Sequence, residues 1–331
     1  MERYRAFAPR WAYHFPLMKI LLANPRGFCA GVYMAIDVVD QLLDICGVGE
    51  GGEKIYVYHE IVHNRHVVQR FRDRGAVFVE SIDEVPEGAT VVFSAHGVSP
   101  AVRAESRAKK LTAIDATCPL VMKVHAEAIR YAKRGWQILL VGHEDHQEVI
   151  GTRGEAPDSI QVVESPDDIP NLVINDPEKL VYLTQTTLSL DDANVIIKAL
   201  KKAFPKLNEP PSSDICYATT NRQAAVKEVA PHVDAVIVVG SPNSSNSQRL
   251  REVAERAGAP AQLVQGRGEI DWSIFGSISS LGITAGASAP EVLVEEIMDA
   301  FSERYEISIE TVSTADESVS FPLPKELRAI A

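Results

Sequence analysis

The sequence predicts an α/β protein built from three similar modules, each with a small, mostly parallel sheet. Amphipathic stretches typical of helices occur between apolar runs, for example at residues 100–110 and 191–204. The apolar runs, typical of buried strands, lie at residues 54–58, 90–93, 137–141, 179–183 and 234–239. Because strands that alternate with helices form parallel sheets, this order predicts the fold class.

Three of the four cysteines mark a repeat along the chain. Cys29, Cys118 and Cys216 each lie between the end of a predicted strand and the start of a predicted helix. The N-terminus of a helix favours the thiolate, which is the form of cysteine that binds metal. The chain has no Cys-x-x-Cys pair, so a zinc ribbon or a thioredoxin-like site lacks support. Cys46 lies outside the repeat, and we interpret it as a small buried residue.

Two polar loops follow each of these cysteines at similar distances. The first comes 28 to 30 residues later and contains, in chain order, His59, His146 and Ser244. The second comes 67 to 72 residues later and contains His96, Thr186 and Ser288. Ligands of open parallel sheets bind beyond the carboxyl ends of the strands. Three modules arranged as a pseudo-threefold trefoil would therefore direct these loops into one central cavity. Unrelated strand-end loops, which any α/β protein has, are the alternative.

The repeat divides the chain into five predicted segments. Residues 1–17 form an N-terminal extension, which lacks the apolar segment of a signal peptide. The three modules span residues 18–112 with Cys29, 113–210 with Cys118, and 211–304 with Cys216. Residues 305–331 form a C-terminal tail, which we expect to be a lightly structured strap.

The composition excludes several classes of partner. The chain of 331 residues has 33 basic and 45 acidic side chains, for a net charge of −12. That balance argues against nucleic acid or an anionic membrane surface as a partner. No apolar run approaches the roughly 20 residues of a transmembrane helix. We therefore expect a cytoplasmic protein that acts on a small molecule.

Three converging thiolates favour one kind of cofactor. Thiolates without histidines at ligand spacing suit an iron–sulfur cluster better than a hard cation. Three cysteines would leave one iron of a [4Fe–4S] cluster open to a substrate, which favours catalysis over simple electron transfer.

The remaining polar loops suit an anionic ligand. A Ser-Ser-Asn-Ser run precedes a predicted helix, and a helix N-terminus attracts anions. Many hydrogen-bond donors with few permanent charges favour a diphosphate, although each donor taken alone would more often be structural. The donors are His59, His96, His146, Ser244, Ser245, Asn246 and Ser288.

One carboxyl group is a candidate proton donor. Glu148 lies two residues after His146, and an enclosed carboxyl group can have a raised pKa. Glu144 and Asp145 lie nearby and compete for the role.

The motifs resemble those of the 4-hydroxy-3-methylbut-2-enyl diphosphate reductases, the last enzymes of the non-mevalonate isoprenoid pathway. The resemblance runs in order from about residue 18 to residue 328. The matching segments are Asn24-Pro-Arg-Gly-Phe-Cys-Ala-Gly-Val, His59-Glu-Ile-Val-His-Asn, Ser94-Ala-His-Gly-Val-Ser, Asp115-Ala-Thr-Cys-Pro-Leu-Val, Thr184-Gln-Thr-Thr-Leu-Ser, Cys216-Tyr-Ala-Thr-Thr-Asn-Arg-Gln, Gly240-Ser-Pro-Asn-Ser-Ser-Asn-Ser and Thr284-Ala-Gly-Ala-Ser-Ala-Pro-Glu.

The resemblance implies a trefoil around a central [4Fe–4S] cluster held by Cys29, Cys118 and Cys216. It implies reduction of the allylic diphosphate to isopentenyl and dimethylallyl diphosphates plus water, with electrons from reduced ferredoxin or flavodoxin. Glu148 matches the family's proton donor, and Thr186 matches a threonine near the substrate hydroxyl. The diphosphate-binding groups match His59, His96, His146, Ser244, Ser245, Asn246 and Ser288.

The sequence departs from the family pattern at a few positions. Tyr33-Met34 stand where a charged residue is common, and Pro242 replaces a common lysine. Gln147 replaces a common proline, which predicts a looser loop around Glu148. Two other functions remain open: a hydro-lyase of the aconitase kind, and a non-catalytic iron–sulfur sensor or phosphate-binding module.

Overall fold

The computed structural model describes residues 15–46 and 53–328 of the chain. The described residues form sheets of five, four and three strands, in which every strand pair is parallel. The predicted α/β fold class is therefore confirmed. Most of the predicted N-terminal extension, residues 1–14, lies outside the described residues.

Helices and strands alternate along the described residues, as the sequence predicts. The strands are β1 (Leu17–Asn24), β2 (Ile55–Tyr58), β3 (Val77–Val79), β4 (Thr90–Phe93), β5 (Thr112–Asp115), β6 (Gln137–Val141), β7 (Ile160–Val163), β8 (Leu180–Thr184), β9 (Ala235–Val239), β10 (Ala261–Val264), β11 (Ser280–Ala285) and β12 (Glu306–Ser313). The helices are α1 (Ala30–Ile45), α2 (Arg65–Asp73), α3 (Pro100–Ala108), α4 (Pro119–Lys133), α5 (Gln147–Glu155), α6 (Leu190–Ala203), α7 (Tyr217–Val229), α8 (Ser245–Arg256), α9 (Trp272–Phe275), α10 (Glu291–Ser302) and α11 (Lys325–Arg328). Across the described ranges, no helix is both long and apolar enough to cross a membrane.

In each sheet, three strands that are consecutive along the chain lie side by side in the order second, first, third. The orders are β3-β2-β4-β5, β7-β6-β8 and β10-β9-β11-β1-β12. In the three-stranded sheet, an isolated parallel bridge from Val181 to Asn208 takes the fourth position. β5, Asn208 and β1 therefore occupy equivalent places, and a cysteine of the repeat follows each of them. This correspondence is the structural basis of the pseudo-threefold arrangement.

The sheets divide the chain at points other than the predicted module boundaries. β1 lies between β11 and β12, in the sheet of the third module and not the first. β5 crosses the predicted boundary at residues 112 and 113 and pairs with β4. The difference arises because an apolar run predicts a strand without specifying the strand beside it.

Each cysteine of the repeat lies where the chain crosses from one sheet to the next. α1 packs on the four-stranded sheet, where Val38 and Leu42 contact the cluster of Ile55 and Val57. α4 packs in the same way on the three-stranded sheet, and α7 on the five-stranded sheet. Because each helix packs on the sheet that follows its cysteine in the chain, the start of the helix lies between two modules.

The C-terminal tail begins with a regular strand instead of an irregular strap. β12 pairs with β1 along its whole length, from Leu17 opposite Glu306 to Asn24 opposite Ser313. Its side chains are mostly exposed, as expected of an edge strand. Beyond β12 the chain reaches the four-stranded sheet, where Leu327 is fully buried in the core. The tail therefore connects two of the three sheets.

Candidate functional site

A cavity lies where the three modules meet, beyond the carboxyl ends of their strands. Its walls contain all of the predicted site residues except His59. Residues from every module contribute, among them the three cysteines of the repeat. Val32, Val62, Leu120 and Val121 add apolar surface.

Equivalent backbone hydrogen bonds position the three thiols. Cys29, Cys118 and Cys216 occupy the N-cap positions of α1, α4 and α7. Their N–H groups donate to the carbonyl oxygens of Ala287 at 3.2 Å, Ala95 at 3.0 Å and Thr186 at 3.1 Å. Each acceptor lies in a strand-end loop of the neighbouring module. The thiols are thus held by the main chain of two modules at once.

The surroundings of the thiols fit a cationic iron–sulfur group. A Cβ atom at Gly31 would lie 2.6 Å from the Sγ atom of Cys118 and 4.0 Å from that of Cys29, so the glycine leaves space between them. The pKa of Cys118 is raised to about 12, mainly by burial and to a smaller extent by the nearby Cys29. The same causes raise the pKa of Cys216 to about 11. The thiols of Cys118 and Cys216 therefore resist ionisation and need a nearby positive group to become thiolates.

Glu148 and Thr186 form a buried hydrogen-bonded pair on another part of the wall. The Thr186 N–H donates to Glu148 Oε1 at 2.6 Å, and the Thr186 hydroxyl donates to Oε2 at 2.9 Å. Burial raises the pKa of Glu148 to about 7, although both hydrogen bonds act to lower it. The carboxyl group can therefore hold or release a proton near neutral pH. Gln147 begins α5 without displacing Glu148 from these contacts.

Three histidines cluster on the wall of the cavity. The rings of His63 and His96 stack with their centroids 4.0 Å apart, and His146 lies 5.7 Å from His63. The Glu60 carboxylate accepts a hydrogen bond from His63 Nδ1 at 3.1 Å, which orients that ring. Burial lowers the pKa of His146 to about 3 and that of His96 well below its usual range. Both of these rings are neutral at pH 7.

The third module contributes hydroxyl and amide groups from the start of α8. Ser244 caps this helix by accepting the Ser247 N–H. Asn246 accepts the Ala287 N–H at 2.8 Å, but its buried Nδ2 atom has no partner. The Ser288 hydroxyl donates to the carbonyl of His63 at 2.9 Å, which links the third module to the first. The unpartnered amide group fits an anionic ligand in the cavity.

The cavity attracts anions without a permanent cation. Among the described residues that line it, none is lysine or arginine. The N-termini of α1, α4, α5, α7 and α8 reach its wall instead. The dipoles of these helices favour negative charge near their N-termini.

The structure corrects the prediction for His59. Its backbone has a φ of 58°, and its Nδ1 atom lies 2.6 Å from Glu80 Oε2, away from the cavity. His63, in the same loop, lines the cavity in its place. Asn64 caps α2 through the N–H groups of His66 and Val67, and this cap fixes the direction of the preceding His63. The position of His63 directly before the helix-capping Asn64 is the feature of the sequence that could have identified it as the cavity residue.

Two further polar residues of the wall, both threonines, are absent from the sequence prediction. Thr187 lines the cavity beside Thr186, and its carbonyl accepts the Ser245 hydroxyl at 3.3 Å. The Thr219 hydroxyl lies 3.2 Å from Cys216 Sγ. Thr187 is one of two adjacent threonines, and Thr219 lies in the first turn of a helix. Both patterns are so common that spacing alone does not identify these residues as part of a site.

Comparison with known proteins identifies the family. A family model described as LytB protein matches residues 20–302. The chain belongs to this family. A relative from Beijerinckia indica, named 4-hydroxy-3-methylbut-2-enyl diphosphate reductase, is 57% identical over 96% of this chain and 98% of its own length. A relative of the same name from Rhodopirellula baltica is 54% identical over 95% and 97%.

A solved structure from the family supports the same assignment. It is the E-1-hydroxy-2-methyl-but-2-enyl-4-diphosphate reductase from Plasmodium falciparum, with a TM-score of 0.88 and 37% identity. The similarity covers 96% of this chain and 98% of that one. The resemblance predicted from the motifs is therefore confirmed.

The raised pKa of Glu148 predicts a pH-dependent stability of the metal-free protein. Between its usual value of 4.5 and about 7, the folded state keeps a proton that the unfolded state has lost. This contribution to the free energy of unfolding is therefore present at low pH and lost as the pH rises toward 7. Urea denaturation from pH 5 to 8 should show that the free energy of unfolding falls less for Glu148→Gln than for the unaltered protein.

Glu144→Gln is the matched control, because Glu144 is an exposed acid of the same loop. Identical pH profiles for the unaltered protein and Glu148→Gln would show that the Glu148 pKa is not raised.

Proposed function

We propose that this chain reductively removes the hydroxyl group of 4-hydroxy-3-methylbut-2-enyl diphosphate. The substrate, two electrons and two protons give isopentenyl or dimethylallyl diphosphate and one water. The observation that carries the proposal is that three thiols share one buried cavity with the Glu148–Thr186 pair. The names of the relatives, which are reductases of such a diphosphate, support the same reaction.

Cys29, Cys118 and Cys216 are the proposed ligands of one [4Fe–4S] cluster per chain. When bound, such a cluster would supply electrons and a Lewis-acidic iron to the reaction. Gly31 keeps space between the thiols, and Thr219 donates hydrogen bonds to Cys216 through its N–H and its hydroxyl.

Glu148 is the proposed proton donor to the departing hydroxyl group. Its carboxyl group, with a pKa of about 7, holds a proton that the leaving oxygen needs to depart as water. The Thr186 hydroxyl, 2.9 Å from Glu148 Oε2, is the proposed relay. The second proton goes to either end of the allylic group, which accounts for the two products, and the diphosphate oxygens are its proposed source.

The diphosphate is proposed to bind among neutral donors on the other walls. His146 accepts the Glu148 N–H through Nδ1, so its Nε2–H is free to donate to an anion. The unpartnered Nδ2 of Asn246 is another donor. The full proposed set is His63, His96, His146, Ser244, Ser245, Asn246 and Ser288.

Reduced ferredoxin or flavodoxin is the proposed electron donor, and the cytoplasm is the proposed compartment. Dependence on a reductant separates this reaction from an aconitase-type hydro-lyase, which transfers no electrons. Product formation from the allylic diphosphate should require dithionite or reduced ferredoxin under anaerobic conditions. Product formed equally without reductant would contradict the proposal.

The cysteine assignment predicts a specific pattern of iron binding. After anaerobic reconstitution, we expect about four irons per chain in the unaltered protein and a large loss in Cys29→Ser, Cys118→Ser and Cys216→Ser. Cys46→Ser is the control and should keep its iron. Iron and sulfide analysis with a visible spectrum measures the effect. An unaltered protein without iron, or equal iron in all variants, would exclude this ligand set.

The proton-donor assignment predicts that Glu148→Gln loses turnover but keeps the cluster. The amide preserves the shape of the side chain but cannot donate an acidic proton, so turnover should fall by roughly 100-fold or more. The visible spectrum should match that of the unaltered protein. Near-normal turnover in Glu148→Gln would remove Glu148 from this role.

The corrected histidine assignment predicts different effects for two residues of one loop. His63→Asn should lower kcat/KM for the diphosphate by roughly 10-fold or more, because a hydrogen bond to a charged group is lost. His59→Asn, the matched control, should change it little, because His59 contacts Glu80 away from the cavity. Steady-state kinetics of both variants show which of the two histidines contributes to kcat/KM for the diphosphate. The reverse order of effects would restore His59 to the site.

A further inference from the structure

A fully buried arginine holds the turn before Cys29. Arg222 lies on the second turn of α7, and its side chain has 0% exposure. Its Nε and Nη2 atoms donate to the carbonyl of Gly27 at 3.1 and 2.8 Å, and Nη2 also reaches Phe28 O at 3.4 Å. Nη1 donates to the carbonyl of Ala218 at 3.0 Å. One guanidinium group thus binds the turn that leads into Cys29 to the helix that begins after Cys216.

The charge of this arginine is neutralised from the C-terminal tail. Glu317 Oε1 accepts from Nη1 at 3.0 Å, and Oε2 accepts from Nη2 at 3.2 Å. Asn221 also donates to Oε1, at 3.1 Å. Across the described residues, Glu317 is the only carboxylate that pairs with Arg222. A buried guanidinium without its counter-ion is strongly unfavourable, so the geometry of Arg222 depends on the tail.

The tail is anchored on both sides of Glu317. Directly after β12, the Thr314 N–H donates to the carbonyl of Asn24 at 2.9 Å. Further along, Leu323 and Leu327 pack in the core of the four-stranded sheet. Glu317 is therefore held over the Cys29 turn by contacts with two modules.

We propose that Glu317 and Arg222 are a positioning pair that sets Cys29 against Cys216. A second contact lies beside it, since the Ala30 N–H donates to the Tyr217 hydroxyl at 3.2 Å. The pair acts through the main chain of the Cys29 turn and touches neither thiol. Its importance for holding a cluster rests on the function proposed above, whereas its effect on the turn does not.

Hydrogen exchange of the metal-free protein tests the pair. Glu317→Gln should speed amide exchange at residues 27–33 and at the first turn of α7 by about tenfold or more, because the turn loses its support. Glu310→Gln is the matched control, since Glu310 is an exposed acid of the same tail paired with Lys19. Faster exchange confined to residues 314–324 would mean that the pair only anchors the tail, and would overturn the inference.

A double variant separates lost hydrogen bonds from an unpaired buried charge. Arg222→Met with Glu317→Gln removes both charges and leaves no lone cation to unfold the protein. The amides of the Cys29 turn should still exchange faster than in the unaltered protein, because methionine cannot donate hydrogen bonds to the Gly27 and Phe28 carbonyls. Exchange equal to that of the unaltered protein would overturn the inference.

The reconstituted protein links the pair to the cluster. Glu317→Gln should lose iron to a chelator about tenfold faster than Glu310→Gln does. Equal rates would show that the pair does not position the cysteines for a cluster. An unaltered protein that binds no iron would instead contradict the proposed function, and the exchange result would still decide whether the pair supports the turn.

Discussion

The three backbone hydrogen bonds from the cysteine N–H groups connect the modules at the cavity. Each bond joins a helix start to a strand-end loop of the neighbouring sheet, with lengths between 3.0 and 3.2 Å. Because the main chain makes these bonds, the positions of the three cysteine backbones depend on how the sheets pack. A packing defect in any one module would therefore move a thiol relative to the other two. The Arg222–Glu317 pair adds side-chain support at the junction between Cys29 and Cys216, and Lys123, which donates to the carboxylate of Asp214 at 3.1 Å, adds such support between Cys118 and Cys216.

Burial gives the cavity two complementary properties. It raises the pKa of Glu148 and lowers those of His96 and His146, because a low-dielectric site disfavours charge of either sign. The carboxyl group can then carry a proton at neutral pH, while the imidazoles remain neutral donors. Helix N-termini and hydroxyl groups are therefore the groups that can stabilise the negative charge of a bound anion. These groups are neutral overall and need no counter-ion when the cavity is empty. An acidic chain can thus bind an anion without a cluster of lysines or arginines.

The sequence predicts most of the cavity wall because the repeat is visible in it. Cysteines and polar loops recur at similar spacings, so the thiols, Glu148 and the Ser244 loop could all be placed. His63 was missed because two histidines share one loop, and the choice between them depends on the left-handed backbone of His59 and the Asn64 cap. The place of β1 was missed because strand patterns do not specify partners. Glu317 gave no signal, since an isolated acid in a polar tail resembles any solvent-exposed residue.

The position of β1 has a consequence for the order in which the chain folds as it is synthesised. Its neighbours, β11 and β12, follow all the other strands of the described residues, so β1 cannot pair until those two strands have been synthesised. The Cys29 N–H likewise bonds to Ala287, which emerges late. The four-stranded and three-stranded sheets, by contrast, are complete from nearby segments and can form earlier. The three thiols can consequently come together only after β11 and the loop with Ala287 have been synthesised, although Cys29 precedes both by most of the described chain.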